Sequence, residues 1–303
     1  MAPVDFRAMD RIHIMHCTSA SELLNHLSPR SPLWRTAPPT DWIFRGQDGD
    51  YPLLPKAFRD QGNCYRDLGI HVERKPTREE LIAAGHEFLR MFRAKLDESG
   101  LAIPVDVPNP FQDVSINIDM SEEADLKLQA QLALAQHLGL PTPLLDWSTR
   151  ANVAAYFAAP KEQPPKHDRL VIWALRRSLL KVQHGHQLYR SARASLVLRT
   201  APRSSNPNLH AQSGVFTRML GEWGPELDVA EYVEEVEPNP DSLVKTPLPG
   251  FPLMHKLTLP TKLGGTLLQL LQQEGIDGST MFPGYDGIAR ALREDGAWNR
   301  AYY

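Results

Sequence analysis

Apolar positions along the chain recur with two periods, and each marks a different kind of element. At helical spacing, Leu81, Phe88, Leu89, Phe92 and Leu96 follow Thr77-Arg78-Glu79-Glu80, a capping box, and predict a helix through about Glu98. Leu128, Leu132, Ala135 and Leu138 form a second helical stripe over 121–138, with Gly139 and Pro141 as its stop. Shorter helices are predicted at 19–27, where Ser19 and Glu22 offer a capping box, at 267–274 ending on Gly275, and at 284–293. Thr149 to Ala159 reads as an alanine-rich helix that can approach a neighbour closely, with Asp146 or Ser148 as its N-cap.

Continuous or alternating apolar runs predict strands. Asp41-Trp42-Ile43-Phe44-Arg45 is one, stopped by Gly46, and Leu170 to Leu175 is a buried one. Ser213–Leu220 and His255–Leu259 are further strands, and Leu144-Leu145 forms a very short extended piece. Residues 28–39 and 103–119 read as proline-bearing connections, and 184–210 as a basic, polar loop with short structure. Single strands separated by long segments indicate an α+β fold: a small mixed or antiparallel sheet with several surrounding helices. An N-terminal segment, 1–39, is expected to be partly helical and to pack on a main domain of 40–303. That domain would carry a helical insertion around 60–125 and an acidic one around 222–250.

Composition changes this picture little. The chain has 303 residues, 42% of them hydrophobic and 23% charged, with a net charge of -3, which disfavours a broadly nucleic-acid-binding surface. Two cysteines, no secretory signal pattern and no membrane-length apolar run make the cytoplasm the expected location, without membrane attachment. From Glu222 to Asp241 there are eight acidic residues and no Lys or Arg, read as a solvated surface helix or excursion rather than an ion site. His184-Gly185-His186 has no acidic or cysteine partner at ligating distance in sequence, so no metal is expected. A Walker loop, a Gly-x-Gly-x-x-Gly fingerprint and a Gly-x-Ser-x-Gly elbow are all absent.

The chemistry concentrates in two stretches. In Phe44-Arg45-Gly46-Gln47, an arginine at a strand end offers paired donors to a phosphate or carboxylate, and Gly46 lets a ligand approach. The structural alternative is a pair between Arg45 and Asp146. In the second stretch, Gln136 to Ser148, Asp146-Trp147-Ser148 at a helix start can hold an anion, Trp147 can stack on a ring, and His137 can act at the helix end. Capping, core filling and a helix C-terminal imidazole explain the same residues without a ligand.

These stretches, with Ala154-Ala155-Tyr156-Phe157-Ala158, Ala211-Gln212-Ser213-Gly214 and Met281-Phe282-Pro283-Gly284-Tyr285-Asp286-Gly287, resemble the FRG domain, named for its Phe-Arg-Gly motif. Pro143 departs from the pattern, which more often has arginine there, and this removes an anion contact. The order of Arg45, Ser148 and Gln212 is in turn similar to the Arg–Ser–Glu order of ADP-ribosyltransferases. That resemblance implies an ADP-ribosyltransferase-like fold and NAD as a substrate. Arg45 and Gly46 would hold the diphosphate, and Trp147 and Ser148 the nicotinamide-ribose end. Gln212 would take the glutamate's place, with Asp146, His137, Glu222 or Glu226 as further candidates for chemistry. A nucleotide ligand is expected, with a protein or nucleic acid as target, and an effector or toxin as the setting. The other readings are a non-catalytic nucleotide or anion sensor, and a protein-interaction module without a ligand.

Overall fold

The computed structural model describes residues 11–34, 41–66, 68–71, 76–102, 130–160, 165–177, 180, 189–191, 194–201, 206–221, 228–238 and 252–299. The architecture is a mixed α/β one, organised on a seven-stranded sheet. Its strands are β1 (Ile12–His16), β2 (Trp42–Gln47), β3 (Leu145–Ser148), β4 (Arg169–Arg176), β6 (Ala194–Arg199), β7 (Gly214–Gly221) and β9 (Met254–Pro260), in the order β1-β9-β4-β2-β3-β7-β6. Every pairing is antiparallel except that of β1 with β9. A separate two-stranded sheet joins β5 (Tyr189–Arg190) to β8 (Glu237–Pro238).

Period-2 alternation along β2 builds the two cores. Trp42 and Phe44 face a core closed by α1 (Ala20–Leu27), α5 (Ala151–Ala158) and α8 (Gly264–Gln273). Ile43 faces the opposite core, with Trp147, Val171, Trp173 and the buried side of α7 (Val229–Glu235). A helical lobe of α2 (Asn63–Arg66) and α3 (Arg78–Glu98) has its own cluster around Phe58, Tyr65, Leu81 and Phe88. A further cluster ties α4, described over 130–137, to the sheet through Leu132, Leu144 and Phe216. The remaining helices are α6 (Pro207–Ala211), α9 (Gly278–Met281) and α10 (Tyr285–Asn299).

Several local expectations hold. Thr77 and Glu80 form the reciprocal capping box at α3. Gly139 takes φ +77°, and the bonds Gly139 N–H to Gln136 O and Leu140 N–H to Ala135 O close the end of α4. This pair of bonds is the Schellman arrangement that a left-handed glycine permits. Ser19 caps α1 by accepting from Glu22 N–H, while the Glu22 carboxylate turns to Thr18.

Others need correction. Gly46 does not stop β2, which continues to Gln47. A Cβ at Gly46 would stand 1.9 Å from Ala154 O and 2.6 Å from Ala158 N, so the glycine is there because α5 lies against the strand. Helix α5 starts at Ala151, with Arg150 as its N-cap and no side-chain cap bond, because Asp146 and Ser148 belong to β3. Residues 194–199, expected in a loop, form the edge strand β6. The acidic stretch is partly core: Val229, Tyr232 and Val233 are buried, and Asp228 and Glu231 make a capping box. The N-terminal segment supplies an edge strand of the main sheet as well as a helix. The loop expected at 103–119, the start of the helix at 121–129, His184-Gly185-His186, Glu222 and Glu226 lie outside the described residues.

Candidate functional site

Strands β2 and β3 are registered only at Phe44 and Ser148, which leaves Arg45 beside a ladder that goes no further. Its side chain fills that role. Arg45 Nη1 donates to Asp146 O at 2.8 Å and stands 3.9 Å from Asp146 Oδ2. The arginine side chain is 13% exposed and the aspartate 56%. Burial pulls the Arg45 guanidinium down to about 10; Asp146 opposes that shift and Arg59 adds to it. The group stays cationic at neutral pH, in a low-dielectric setting where each missing partner is costly. Among the described residues, Arg45 Nε is buried with no hydrogen-bond partner.

The carboxylate of Asp146 is aimed by a relay. Thr142 Oγ1 donates to Gln136 Oε1, and Gln136 Nε2 donates to Asp146 Oδ2 at 2.8 Å and to Leu144 O at 3.3 Å. Beside the relay runs the 3₁₀ turn Lys56–Gly62, anchored by Ala57 N–H to Thr142 O at 3.2 Å. Its exposed Lys56 donates from Nζ to Gly139 O, and its exposed Arg59 donates from Nε to Leu54 O at 2.8 Å. Two exposed cations thus stand on the turn that is tied to the relay at Thr142.

The other expected residues are arranged differently. Trp147 is 3% exposed, donates from Nε1 to Thr217 Oγ1 at 2.8 Å, and packs in a core, so its ring is not open for stacking. Ser148 is buried; its hydroxyl donates to Gln212 O at 2.7 Å and accepts from Arg150 N–H at 3.0 Å. Gln212 is the C-cap of α6, and its Nε2 donates to Met281 O at 3.0 Å. Ser148 and Gln212 therefore meet through the glutamine's main chain. His137, the last residue of α4, is exposed, and its neighbour Gln136 is the one that reaches Asp146. The sequence reading missed Gln136, Thr142, Lys56 and Arg59. A glutamine next to a helix stop is the only local sign that such a relay exists.

Phe44, Arg45 and Gly46 thus each have a defined place: one in a core, one bridging to β3, one under α5. This defines the class as a mixed α/β domain with a Phe-Arg-Gly strand at the middle of its sheet. Residues 40–167 match the family model of the FRG domain. The match runs from β2 through α5 and takes in Arg45, Gln136, Asp146 and Ser148. Comparison with curated proteins and with solved structures gave no match in either case. No helix among the described residues is long and apolar enough to cross a membrane.

Proposed function

We propose that this FRG domain binds a phosphate-bearing nucleotide at Arg45, with Lys56 and Arg59 on the rim, and acts as a sensor of that ligand. The observation that carries the reading is the incompletely satisfied guanidinium. Arg45 commits Nη1 to a carbonyl, holds its carboxylate only at 3.9 Å, and keeps a buried Nε without a partner among the described residues. A guanidinium in that condition has donor capacity left for an anion, and phosphate oxygens match its fork. The Gln136–Asp146 contact gives the ligand something to displace: an arriving phosphate competes with Asp146 for Arg45. The setting is a reducing cytoplasm, in keeping with Cys17 as a buried free thiol.

The test is thermal stabilisation of the full chain by ATP, NAD, ADP-ribose and inorganic phosphate. A site filled at a hundred times its Kd adds about 2.7 kcal/mol. Arg45→Lys keeps the charge but loses the fork, and it should remove most of that increment. The measured quantity is the ligand-dependent increment, because Arg45 also holds β3 and its replacement lowers the starting stability. The absence of any increment with all four compounds, or an increment that survives Arg45→Lys, sinks the proposal.

A second reading, NAD consumption by an ADP-ribosyltransferase or glycohydrolase, is favoured by one observation. Ser148 registers with Phe44, next to Arg45, and touches Gln212. Against turnover, the Gln212 amide is engaged with Met281, and an amide stabilises a developing oxocarbenium much less than a carboxylate does. Nicotinamide release from NAD, abolished by Ser148→Ala in a folded protein, would favour the enzyme over the sensor.

A further inference from the structure

Arg45 and Asp146 are neighbours that have not closed into a pair. A charged arginine–carboxylate bond settles at about 2.7–2.9 Å, whereas Asp146 Oδ2 lies 3.9 Å from Arg45 Nη1. The backbone is no obstacle, because the same Nη1 reaches Asp146 O at 2.8 Å. Attraction is not lacking either: the arginine side chain is largely buried, and a low dielectric strengthens the pull between the charges. Some group therefore holds the carboxylate back. Among the described residues, Oδ2 has one other partner, Gln136 Nε2 at 2.8 Å.

The amide of Gln136 is itself fixed at both ends. Its Oε1 accepts from Thr142 Oγ1, and its Nε2 donates also to Leu144 O at 3.3 Å. Thr142 is fully buried, and its Oγ1 in turn accepts from Leu144 N–H at 3.3 Å. Leu144 O and the carboxylate can only accept, so a single orientation of the amide fits. The residue lies in the last turn of α4, which the left-handed Gly139 closes. An amide also carries no charge, so it restrains Asp146 without adding to or cancelling the field of Arg45.

We propose that Gln136 is a positioning residue of the Arg45 site: it holds Asp146 at a distance, so that the guanidinium stays open to an anion instead of closing on its own carboxylate. The inference rests on the reading of Arg45 as a phosphate site, and it names what regulates that site, an internal competitor under restraint. Once released, the carboxylate moves about an ångström onto Arg45 and occupies donors that a phosphate needs.

The probe is inorganic phosphate, titrated calorimetrically into the full chain. Gln136→Met keeps the length of the side chain and loses both donated bonds. It should weaken phosphate binding about tenfold or more, the scale of one charged hydrogen bond. Asp146→Asn removes the competing charge and should bind more tightly than wild type. Adding Gln136→Met to Asp146→Asn should then change the dissociation constant less than about twofold. Thr142→Val frees the amide at its other end and should weaken binding in the same direction by less, which keeps the test open if Gln136→Met does not fold. Crystals of wild type and Gln136→Met grown without phosphate or sulfate give a reading that needs no ligand: the separation of Arg45 Nη1 from Asp146 Oδ2 should shorten from 3.9 Å to below about 3 Å. A glutamine with a merely structural role would lower thermal stability and move neither reading. Equal phosphate affinity of wild type and Gln136→Met overturns the proposal, as does a Gln136→Met penalty that persists in Asp146→Asn. So does a separation that stays or lengthens as Asp146 turns to solvent. If none of the proteins binds phosphate, the nucleotide reading of Arg45 falls, and the separation alone decides the restraint.

Discussion

Replacing Gly46 by alanine tests whether the glycine of the motif is there for packing. The added methyl would meet Ala154 O at 1.9 Å, Ala158 N at 2.6 Å and Ala154 C at 2.9 Å, all main-chain atoms of one helix. A side chain can turn away, but these atoms move only if α5 moves as a rod. Reaching an ordinary carbon–oxygen contact takes a lift of more than about an ångström, and even part of that separation forfeits a quarter to a half of each dispersion contact. Helix α5 buries Val153, Ala154, Ala155, Tyr156 and Ala158 against the sheet and its neighbours. Overpacking of this kind costs about 3 kcal/mol or more. At roughly 2–4 °C per kcal/mol for a large domain, the midpoint should fall by about 6–12 °C in thermal unfolding followed by circular dichroism. Gly85→Ala is the internal control: in α3 its methyl would meet only Tyr65 Oη at 3.3 Å, and alanine is the better helix former by up to about 1 kcal/mol. If Gly46→Ala unfolds no earlier than Gly85→Ala, the packing account is wrong and the glycine must be explained by a ligand.

Two other predictions concern buried polar groups. His255 is buried against Trp34 and Trp42, with its Nδ1 3.2 Å from His13 Nδ1, and burial followed by His13 lowers its pKa to about 4. The unfolded chain takes up this proton near pH 6.5 and the folded chain only near 4, so stability is full above the higher value and falls as pH drops between them. By about pH 5 the loss is about 2 kcal/mol, and His255→Gln should shed that part of the pH dependence; equal slopes for both proteins in denaturant titrations would refute it. Tyr156→Phe removes the 2.5 Å bond to Glu294 that joins α5 to α10, and should cost about 1.5–3 kcal/mol. An unchanged unfolding midpoint would show that the carboxylate finds another partner.

Elements whose signal lies within a few residues were legible in the chain. The box at Thr77 and Glu80, the left-handed stop at Gly139 and the apolar run of β4 depend on local backbone sterics, nearby hydrogen bonds and burial on both faces. Edge strands were less so: β1 and β6 each have one neighbour, and their mixed burial gives a pattern close to that of a polar loop. The residues of the motif were visible, but their roles were not. Arg45 and Asp146 could be named as partners, yet the contact runs first to a main-chain carbonyl, which no side-chain pattern records.

The sequence by itself determined where helices begin and stop, which runs are buried, and that Phe44-Arg45-Gly46 and Asp146-Trp147-Ser148 stand out. Only the tertiary structure decided what those residues touch. Gly46 is set by a helix more than a hundred residues later in the chain, Trp147 by the hydroxyl of Thr217 on β7, and Ser148 by the carbonyl of Gln212. The physical reason is range. Capping and turn geometry are fixed by atoms a few bonds apart, whereas close packing and the satisfaction of buried donors are fixed by whichever distant segment the sheet brings alongside.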